Sequence, residues 1–168
     1  MNNPKLKICN KSPHENPSYA KPGDSGMDLR AWITPTDNPH FGQCDGKNPP
    51  VYGLTLEPLE RVLIHTGIYL EIPVGYEVQV RPKSGQALKK GITVLNTPGT
   101  ADSSYRGEIC VIVVNLSNQN VNIENGEKIA QMVLCPVQHE GMVDIEIVDE
   151  ISTDTERGVG GFGHTGIK

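Results

Sequence analysis

Short runs of apolar, β-branched residues separated by turn-forming residues dominate this 168-residue chain. Segment 77–81 alternates polar and apolar side chains with the period of two that a half-buried strand requires. Segment 109–116 is an almost unbroken apolar run, which is typical of a strand buried on both faces. The same pattern predicts further strands at 5–9, 27–33, 61–69, 129–137 and 143–148. Many short strands at regular spacing predict an all-β barrel or sandwich.

Only one short segment of the sequence has the pattern of a helix. It covers about residues 86–90, after Ser84 and Gly85, and Gly91 ends it. Segment 34–53 is rich in Pro, Gly and Asn and is interpreted as a surface insertion. From residue 152 onward the chain is polar and glycine-rich, the composition of a frayed tail. We therefore expect a β domain at 1–151 and a flexible C-terminal segment at 152–168.

Composition and charge exclude several classes of protein. A net charge of −5 without a basic block argues against a nucleic-acid polymer as partner. No apolar run reaches the length of a membrane span, and the first residues lack a signal-peptide pattern, so we expect a cytoplasmic protein. The four cysteines show neither metal-ligand spacing nor a CxxC pair and are expected to be reduced, buried thiols; they are Cys9, Cys44, Cys110 and Cys135.

The C-terminal segment contains two partial nucleotide-loop patterns. Gly158, Gly160 and Gly163 fit a dinucleotide fingerprint, and 158–165 fits a Walker A loop with His164 in place of its lysine. Both patterns need a following helix, which is not expected in a sequence that ends at Lys168. What remains is a glycine-rich backbone that could wrap phosphates with its N–H groups, or a disordered tail.

Two other segments each allow a functional and a structural interpretation. Ser84 and Gly85 at a helix start could bind an anion, or Ser84 could only cap the helix. In the polar segment 96–108, Asp102 could act as a general base or could hydrogen-bond its own turn.

Segments 25–31 and 126–131 carry little chemistry by themselves. The charges of 126–131 suggest a solvated strand edge. Asp28 and Arg30 lie on the same face of a predicted strand, where a structural ion pair is the simplest interpretation.

Taken together and in order, five segments resemble the five motifs of the trimeric deoxyuridine triphosphatase family; they are 25–29, 81–85, 99–107 with Asn96 ahead of it, 126–131 and 157–166. The resemblance implies a jelly-roll-like β-barrel with one short helix. It also implies a homotrimer whose active sites each draw on all three subunits. The implied reaction is hydrolysis of dUTP to dUMP and pyrophosphate by water attack on the α-phosphorus, with Mg²⁺ as cofactor. Such an enzyme limits uracil incorporation into DNA and supplies dUMP for thymidylate synthesis.

The resemblance also assigns roles to single residues. Asp102 would orient and deprotonate the attacking water. Tyr105 would pack under the deoxyribose and leave no room for a 2′-hydroxyl group. Asn96 and neighbouring backbone, including Gly99, would read the uracil edge. Asp28 would hold water on a Mg²⁺ ion that is bound mainly by the triphosphate.

The remaining implied residues surround the phosphates and close the site. Lys83, Ser84, Gly85 and Gln131 would contact the phosphate chain. Arg157 would neutralise charge on the γ-phosphate. In the last segment, Phe162 would cover the uracil, with Gly163, His164 and Thr165 nearby.

Several positions depart from the family pattern. Lys83 stands where the family often has Arg, so the compact charge of an ammonium group replaces a planar guanidinium group with paired N–H donors. Gln86 stands where Leu is common, and Thr100-Ala101 replaces larger apolar residues ahead of Asp102. The insertion at 34–53 is longer than expected for the family. Two alternatives stay open: a dCTP deaminase or bifunctional relative with the same barrel, which would use a glutamate for deamination, and a non-catalytic trimer.

Overall fold

The computed structural model describes residues 3–38, 52–139 and 141–161. Contacts divide the chain into two units, Met1–Val137 and Gln138–Lys168. The boundary expected at 151/152 stays a prediction. Four predicted site residues, Phe162, Gly163, His164 and Thr165, lie outside the described residues, as do Cys44 and most of the 34–53 insertion.

The first unit is built from short strands and one short helix among the described residues. In chain order they are β1 (Lys7–Asn10), β2 (Met27–Arg30), β3 (Gly53–Leu56), β4 (Arg61–Ile64), β5 (Ile68–Glu71), β6 (Tyr76–Pro82), α1 (Ser84–Lys90), β7 (Ile92–Val94), β8 (Gly99–Ala101), β9 (Val111–Asn115), β10 (Val121–Glu124) and β11 (Lys128–Pro136). The prediction of a mostly β fold with one short helix is confirmed.

All the pairings between these strands are antiparallel, and they form four sheets. Their orders are β1-β5, β10-β3, β2-β11-β6-β8 and β4-β9-β7. The inward-facing Ile, Val and Leu side chains form one core, with Leu29, Ile123 and Val111 fully buried. Burial of this aliphatic surface supplies the main stabilisation of the unit. Among the described residues, no helix has the length and hydrophobicity needed to cross a membrane.

The predicted strand at 61–69 is instead two strands that belong to different sheets. Gly67 lies between them with φ +71°, in the left-handed region that favours glycine. A Cβ atom there would come within 2.6 Å of the Ser12 backbone nitrogen. The chain therefore turns at Gly67, and β4 and β5 pair with different partners, β9 and β1.

The strand predicted at 143–148 was wrong. These residues form no strand in the described part of the second unit, and Ile145 and Ile147 are 89% and 96% exposed. Alternation between apolar and acidic residues gives a segment the pattern of a strand, but a strand also requires hydrogen bonds from a neighbouring edge. In the described residues only Val143 makes a single β-bridge, and the rest of the segment has no such pairing.

The helix ends as the sequence predicts. Gly91 is its C-cap, with φ +69°, and its N–H group donates to the carbonyl oxygen of Ala87. Lys89 and Lys90 lie in the last turn, where positive charge favours the negative end of the helix dipole. The helix begins at Ser84, two residues earlier than expected.

Candidate active site

Strand β11 brings three of the predicted segments together because it pairs with β2 on one side and β6 on the other. Gln131 lies opposite Asp28 of β2 and opposite Arg81 of β6. Its amide Nε2 donates a 3.0 Å hydrogen bond to the carbonyl of Pro82. A Cβ atom at Gly26 would lie 2.4 Å from the Gln131 Oε1 atom, so the glycine leaves room for this side chain.

Asp28 is held by two lysines. Lys83 donates to its Oδ1 atom, and the Lys128 ammonium nitrogen lies 2.7 Å from its Oδ2 atom. Partial burial raises the pKa of Asp28, but the hydrogen bonds and charges of Lys128 and Lys83 outweigh it, and the net pKa is lowered. The carboxylate is therefore ionised at neutral pH.

The expected ion pair between Asp28 and Arg30 was wrong. Arg30 instead contacts Glu15, with 2.7 Å between Nη2 and Oε2, and donates to the carbonyl of Gly126. The neighbouring strand, which the local pattern does not identify, supplies Lys128 as the closer partner of Asp28.

The start of helix α1 exposes two of the predicted phosphate-contacting residues. Ser84 and Gly85 are both exposed, and the N-cap position belongs to Lys83, which makes no side-chain capping bond. Capping by Ser84 was therefore wrong. The neighbouring Gln86 donates from Nε2 to Glu127 Oε1, at 2.7 Å, and to the carbonyl of Lys128. This polar contact occupies the position where an apolar residue was expected and ties the helix to the start of β11.

Glu127 is the anchor of that contact. It accepts hydrogen bonds from Gln86, from the ammonium group of Lys90 and from the backbone N–H of Glu124. Burial raises its pKa, yet the bonds from Lys90, Gln86 and Glu124 together lower it below the usual value. Glu127 thus positions α1 relative to the turn before β11.

A second group of predicted residues lines one cavity of about 290 Å³. Asn96, Gly99 and Tyr105 lie on its wall with the apolar side chains of Val80, Val94 and Ile109. The Asn96 amide nitrogen would lie only 3.2 Å from a Cβ atom at position 99, so a glycine allows this approach. An apolar cavity with a few directed polar groups suits a planar, uncharged ligand.

Asp102 lies in the same segment, 96–108, between the cavity-lining residues Ala101 and Tyr105. Asp102 is exposed, and its main-chain carbonyl accepts a hydrogen bond from the N–H group of Tyr105 at 3.1 Å. Within the described ranges, its carboxylate makes no hydrogen bond or ion pair. The side chain therefore does not close its own turn, and its oxygens are available to a ligand or a water molecule.

Tyr105 lies towards the end of segment 96–108 and is 46% exposed. Its hydroxyl group donates a 3.0 Å hydrogen bond to the carbonyl of Glu108. A Cβ atom at Gly107 would lie 2.3 Å from that hydroxyl oxygen, a distance that no side chain can occupy. Gly107 therefore sets the position of the ring.

Glu108 was not predicted as part of the site. Its Oε1 atom accepts the backbone N–H groups of Thr66 and Gly67, at 3.0 and 2.7 Å, and its Oε2 atom lies 2.8 Å from His65 Nδ1. Burial raises its pKa, but these bonds lower it overall. Because its partners lie in the turn between β4 and β5, more than 40 positions away, only the fold brings them together.

The predicted buried thiols are only partly buried in two cases and exposed in a third. Cys110 and Cys135 have intermediate exposure, Cys9 is exposed, and all three are free. Burial, with the Glu108 charge and hydrogen bond adding to it, raises the pKa of Cys110 to about 11.

Arg157 belongs to the second unit. Its Nε atom donates a 2.8 Å hydrogen bond to the carbonyl of Gly160, within a turn that also joins Gly158 to Thr155. The residue is exposed.

The candidate residues therefore fall into three groups. Asp28, Lys83, Ser84, Gly85 and Gln131 meet around β11; Asn96, Gly99 and Tyr105 line one cavity, and Asp102 lies in the same segment, 96–108; Arg157 lies in the glycine-rich turn of the second unit. The first group offers cations and N–H donors for phosphates. The second offers a cavity for a flat ring next to a carboxylate that can accept a proton.

Comparisons with known proteins all point to one family. The dUTPase family model matches residues 51–166. A deoxyuridine 5′-triphosphate nucleotidohydrolase from Finegoldia magna is 48% identical over 162 residues, which cover 96% of this chain and 99% of the relative. The enzyme of that name from Aquifex aeolicus is 57% identical over 122 residues, 73% of this chain and 70% of the relative.

Solved structures agree in fold. A variant of the dUTPase of Staphylococcus bacteriophage 80alpha, with dUpNHpp, superimposes with a TM-score of 0.74 at 22% identity, over 97% of this chain and 99% of that one. A dUTPase variant from phage phi11 of S. aureus, described with a structural Mg(II) ion, gives a TM-score of 0.65 at 18% identity, over 87% of this chain and 99% of that one.

Proposed function

The chain belongs to the dUTPase family, and we propose that it hydrolyses dUTP to dUMP and pyrophosphate, with Asp102 as the base that activates the attacking water. The observation that carries this proposal is the segment 96–108, in which Asn96, Gly99 and Tyr105 line one cavity and the exposed Asp102 directly follows the cavity-lining Ala101. Uracil and deoxyribose together form a flat, largely uncharged ligand of the kind that such a cavity suits.

In the proposed step, the Asp102 carboxylate accepts a proton from a bound water molecule. The water oxygen forms a bond to the α-phosphorus as the bond from that phosphorus to the bridging oxygen of the β-phosphate breaks. Pyrophosphate leaves with the electron pair of the broken bond, and dUMP keeps the new oxygen. A carboxylate without a protein partner among the described residues can orient water in this way.

The group around β11 supports charge stabilisation of the leaving pyrophosphate. Lys83 supplies a positive charge, Ser84 and Gly85 present exposed N–H groups at the start of α1, and Gln131 adds an amide. Arg157 would add a bidentate cation at the γ-phosphate. Because Lys83 is a point charge, it can move from Asp28 to a phosphate oxygen without the planar alignment that Arg needs.

Mg²⁺ fits the chemistry of Asp28. Its carboxylate supplies the hard oxygen ligands that the ion prefers, and the side chain is 26% exposed beside its lysine partners. When bound, Mg²⁺ would neutralise triphosphate charge. The contribution of Asp28 would be to hold a water molecule of the ion while Lys83 turns towards phosphate.

We further propose that the fold closes into a jelly-roll-like barrel and that the enzyme is a cytoplasmic homotrimer with shared sites. Membership of the dUTPase family and the resemblance of the five segments to the motifs of its trimeric members support this arrangement, because three subunits around a threefold axis can share the residues of every site. In that arrangement the segment with Arg157, Phe162, Gly163, His164 and Thr165 would act as a lid that closes over bound dUTP.

A side-by-side assay of dUTP, dCTP and UTP, with and without Mg²⁺, tests the proposed function. We expect Mg²⁺-dependent pyrophosphate release from dUTP and little from UTP, because Tyr105 leaves no room for a 2′-hydroxyl group. Ammonia release from dCTP would instead identify a deaminase. Absence of pyrophosphate release at saturating dUTP and Mg²⁺ would favour a non-catalytic binding protein.

A further inference from the structure

Three side chains with metal-ligating atoms meet beside the cavity, and two of them, Glu108 and Cys110, line it. Among the described residues, His65, Glu108 and Cys110 place their ligand atoms within 4.8 Å of one another. They come from different places in the chain: His65 follows β4, and Glu108 and Cys110 precede β9. We propose that this cluster binds a borderline-soft divalent ion of the Zn²⁺ class, at a site separate from the Mg²⁺ that serves the triphosphate.

The separations between the ligand atoms fit a tetrahedral ion. His65 Nδ1 lies 3.6 Å from Cys110 Sγ. Metal bonds of about 2.0 Å to nitrogen and 2.3 Å to sulfur, at a tetrahedral angle, place the two ligand atoms roughly 3.5–3.6 Å apart. His65 Nδ1 and Glu108 Oε2 are 2.8 Å apart, so the imidazole needs to move by only about half an ångström to admit an ion between them.

The ligands are held in position before any ion binds. Glu108 Oε1 is fixed by the N–H groups of Thr66 and Gly67, which leaves Oε2 directed at the imidazole. On the other side of the ring, Asp37 Oδ1 lies 4.0 Å from His65 Nε2. That separation is longer than a hydrogen bond, so Asp37 places a negative charge beside the second ring nitrogen without fixing the orientation of the ring.

The identity of the ligand atoms decides the class of ion. Imidazole and thiolate together favour Zn²⁺ and similar ions, whereas Mg²⁺ prefers oxygen ligands in octahedral geometry. The His65 side chain is 42% exposed, so solvent can reach the cluster, while Glu108 is 15% exposed. With its raised pKa the Cys110 thiol is protonated at neutral pH, which argues against an activated nucleophile. A bound ion would displace that proton.

Titration of the chelator-treated, full-length protein with Co²⁺ tests the proposal without any turnover. A thiolate ligand gives Co²⁺ an intense sulfur-to-metal charge-transfer absorption. We expect that absorption to saturate at one Co²⁺ per chain, to disappear on addition of Zn²⁺, which binds such sites more tightly, and to be insensitive to excess Mg²⁺.

Substitutions identify the ligands. Cys110→Ser should abolish the charge-transfer absorption, and His65→Gln should weaken Co²⁺ binding at least tenfold while it keeps a polar partner for Glu108. Cys135→Ser is the matched control and should leave the absorption unchanged. Circular dichroism establishes that each variant is folded. No charge-transfer absorption in the unsubstituted protein, or absorption that persists at full strength in either His65→Gln or Cys110→Ser, would overturn the proposal. Because dUTP takes no part, these outcomes are independent of the proposed hydrolysis.

Discussion

The Tyr105 hydroxyl group donates to the main-chain carbonyl of Glu108, and its ring lies over Gly107, where any side chain would collide with it. The ring position is therefore set by a missing Cβ atom together with one hydrogen bond. Tyr105 also lines the cavity. The backbone of segment 96–108 therefore helps to set the shape of the proposed nucleoside site.

Substitution of Gly107 by Ala should displace the Tyr105 ring. A Cβ atom 2.3 Å from the hydroxyl oxygen forces a shift of the ring or the backbone, and a misplacement near 1 Å at a reacting centre costs up to about 100-fold. We expect kcat/KM for dUTP to fall roughly 10- to 100-fold, with a smaller fall in discrimination against UTP. Ser104→Ala, in the same segment 96–108, is the control. An unchanged kcat/KM in Gly107→Ala would contradict this account of the ring.

Lys83→Met should weaken binding of the triphosphate more than binding of the nucleoside. A charge-assisted hydrogen bond is worth about 1.5–3 kcal/mol, so affinity for a non-hydrolysable dUTP analogue should fall roughly 10- to 100-fold. Affinity for deoxyuridine should change little. Lys128→Met is the matched control, because it also removes a partner of Asp28 but has no proposed phosphate contact. Equal losses for the analogue and for deoxyuridine would show that Lys83 acts only through Asp28.

The contribution of Glu127 to stability should depend on pH. Its bonds from Lys90, Gln86 and Glu124 hold its pKa below the ordinary 4.5, so the stabilisation is present above about pH 4.5 and is lost as the pH falls through the lower, folded-state value. The difference in unfolding free energy between the unsubstituted protein and Glu127→Gln should therefore shrink between pH 7 and pH 3. Urea unfolding at one fixed protein concentration measures it. An increase in this difference as the pH falls would contradict the lowered pKa of Glu127 in the folded protein.

Deletion of residues 157–168 should leave a folded protein with poor catalysis. Loss of Arg157 and of the glycine-rich segment removes the proposed charge at the γ-phosphate and the lid, and removal of one such electrostatic contact typically costs roughly 10²–10³-fold in kcat. Sedimentation and circular dichroism report assembly and folding of the shortened chain beside its kcat. An unchanged kcat would show that the segment has no catalytic role.

Local pattern in the sequence predicts those parts of the fold whose causes are local. Strand β6 follows from its period of two, and the end of α1 follows from Gly91, because a left-handed cap favours glycine. The short strands β3, β7, β8 and β10 were not predicted. They have three or four residues each, too few for a period to be distinguished from chance, and their pairing partners are distant in sequence.

Contacts across the sheet are what the sequence does not predict. Asp28 was paired with Arg30 by strand spacing, yet the true partners come from the neighbouring strand and from the start of α1. Glu108 was not predicted for the same reason, since its partners lie in the distant turn between β4 and β5. Segment 96–108, with Asn96, Gly99, Asp102 and Tyr105, could be identified because these residues are close in sequence and their order matches a known motif.

The turnover of Asp102→Asn tests the central claim most directly. The substitution keeps the size of the side chain and removes its capacity to accept the proton of the attacking water. Single-turnover and steady-state assays with dUTP and Mg²⁺ should show kcat reduced roughly 10²–10⁴-fold, with dUTP binding and the assembly state unchanged. A kcat within a few-fold of that of the unsubstituted protein would contradict the assignment of Asp102 as the base.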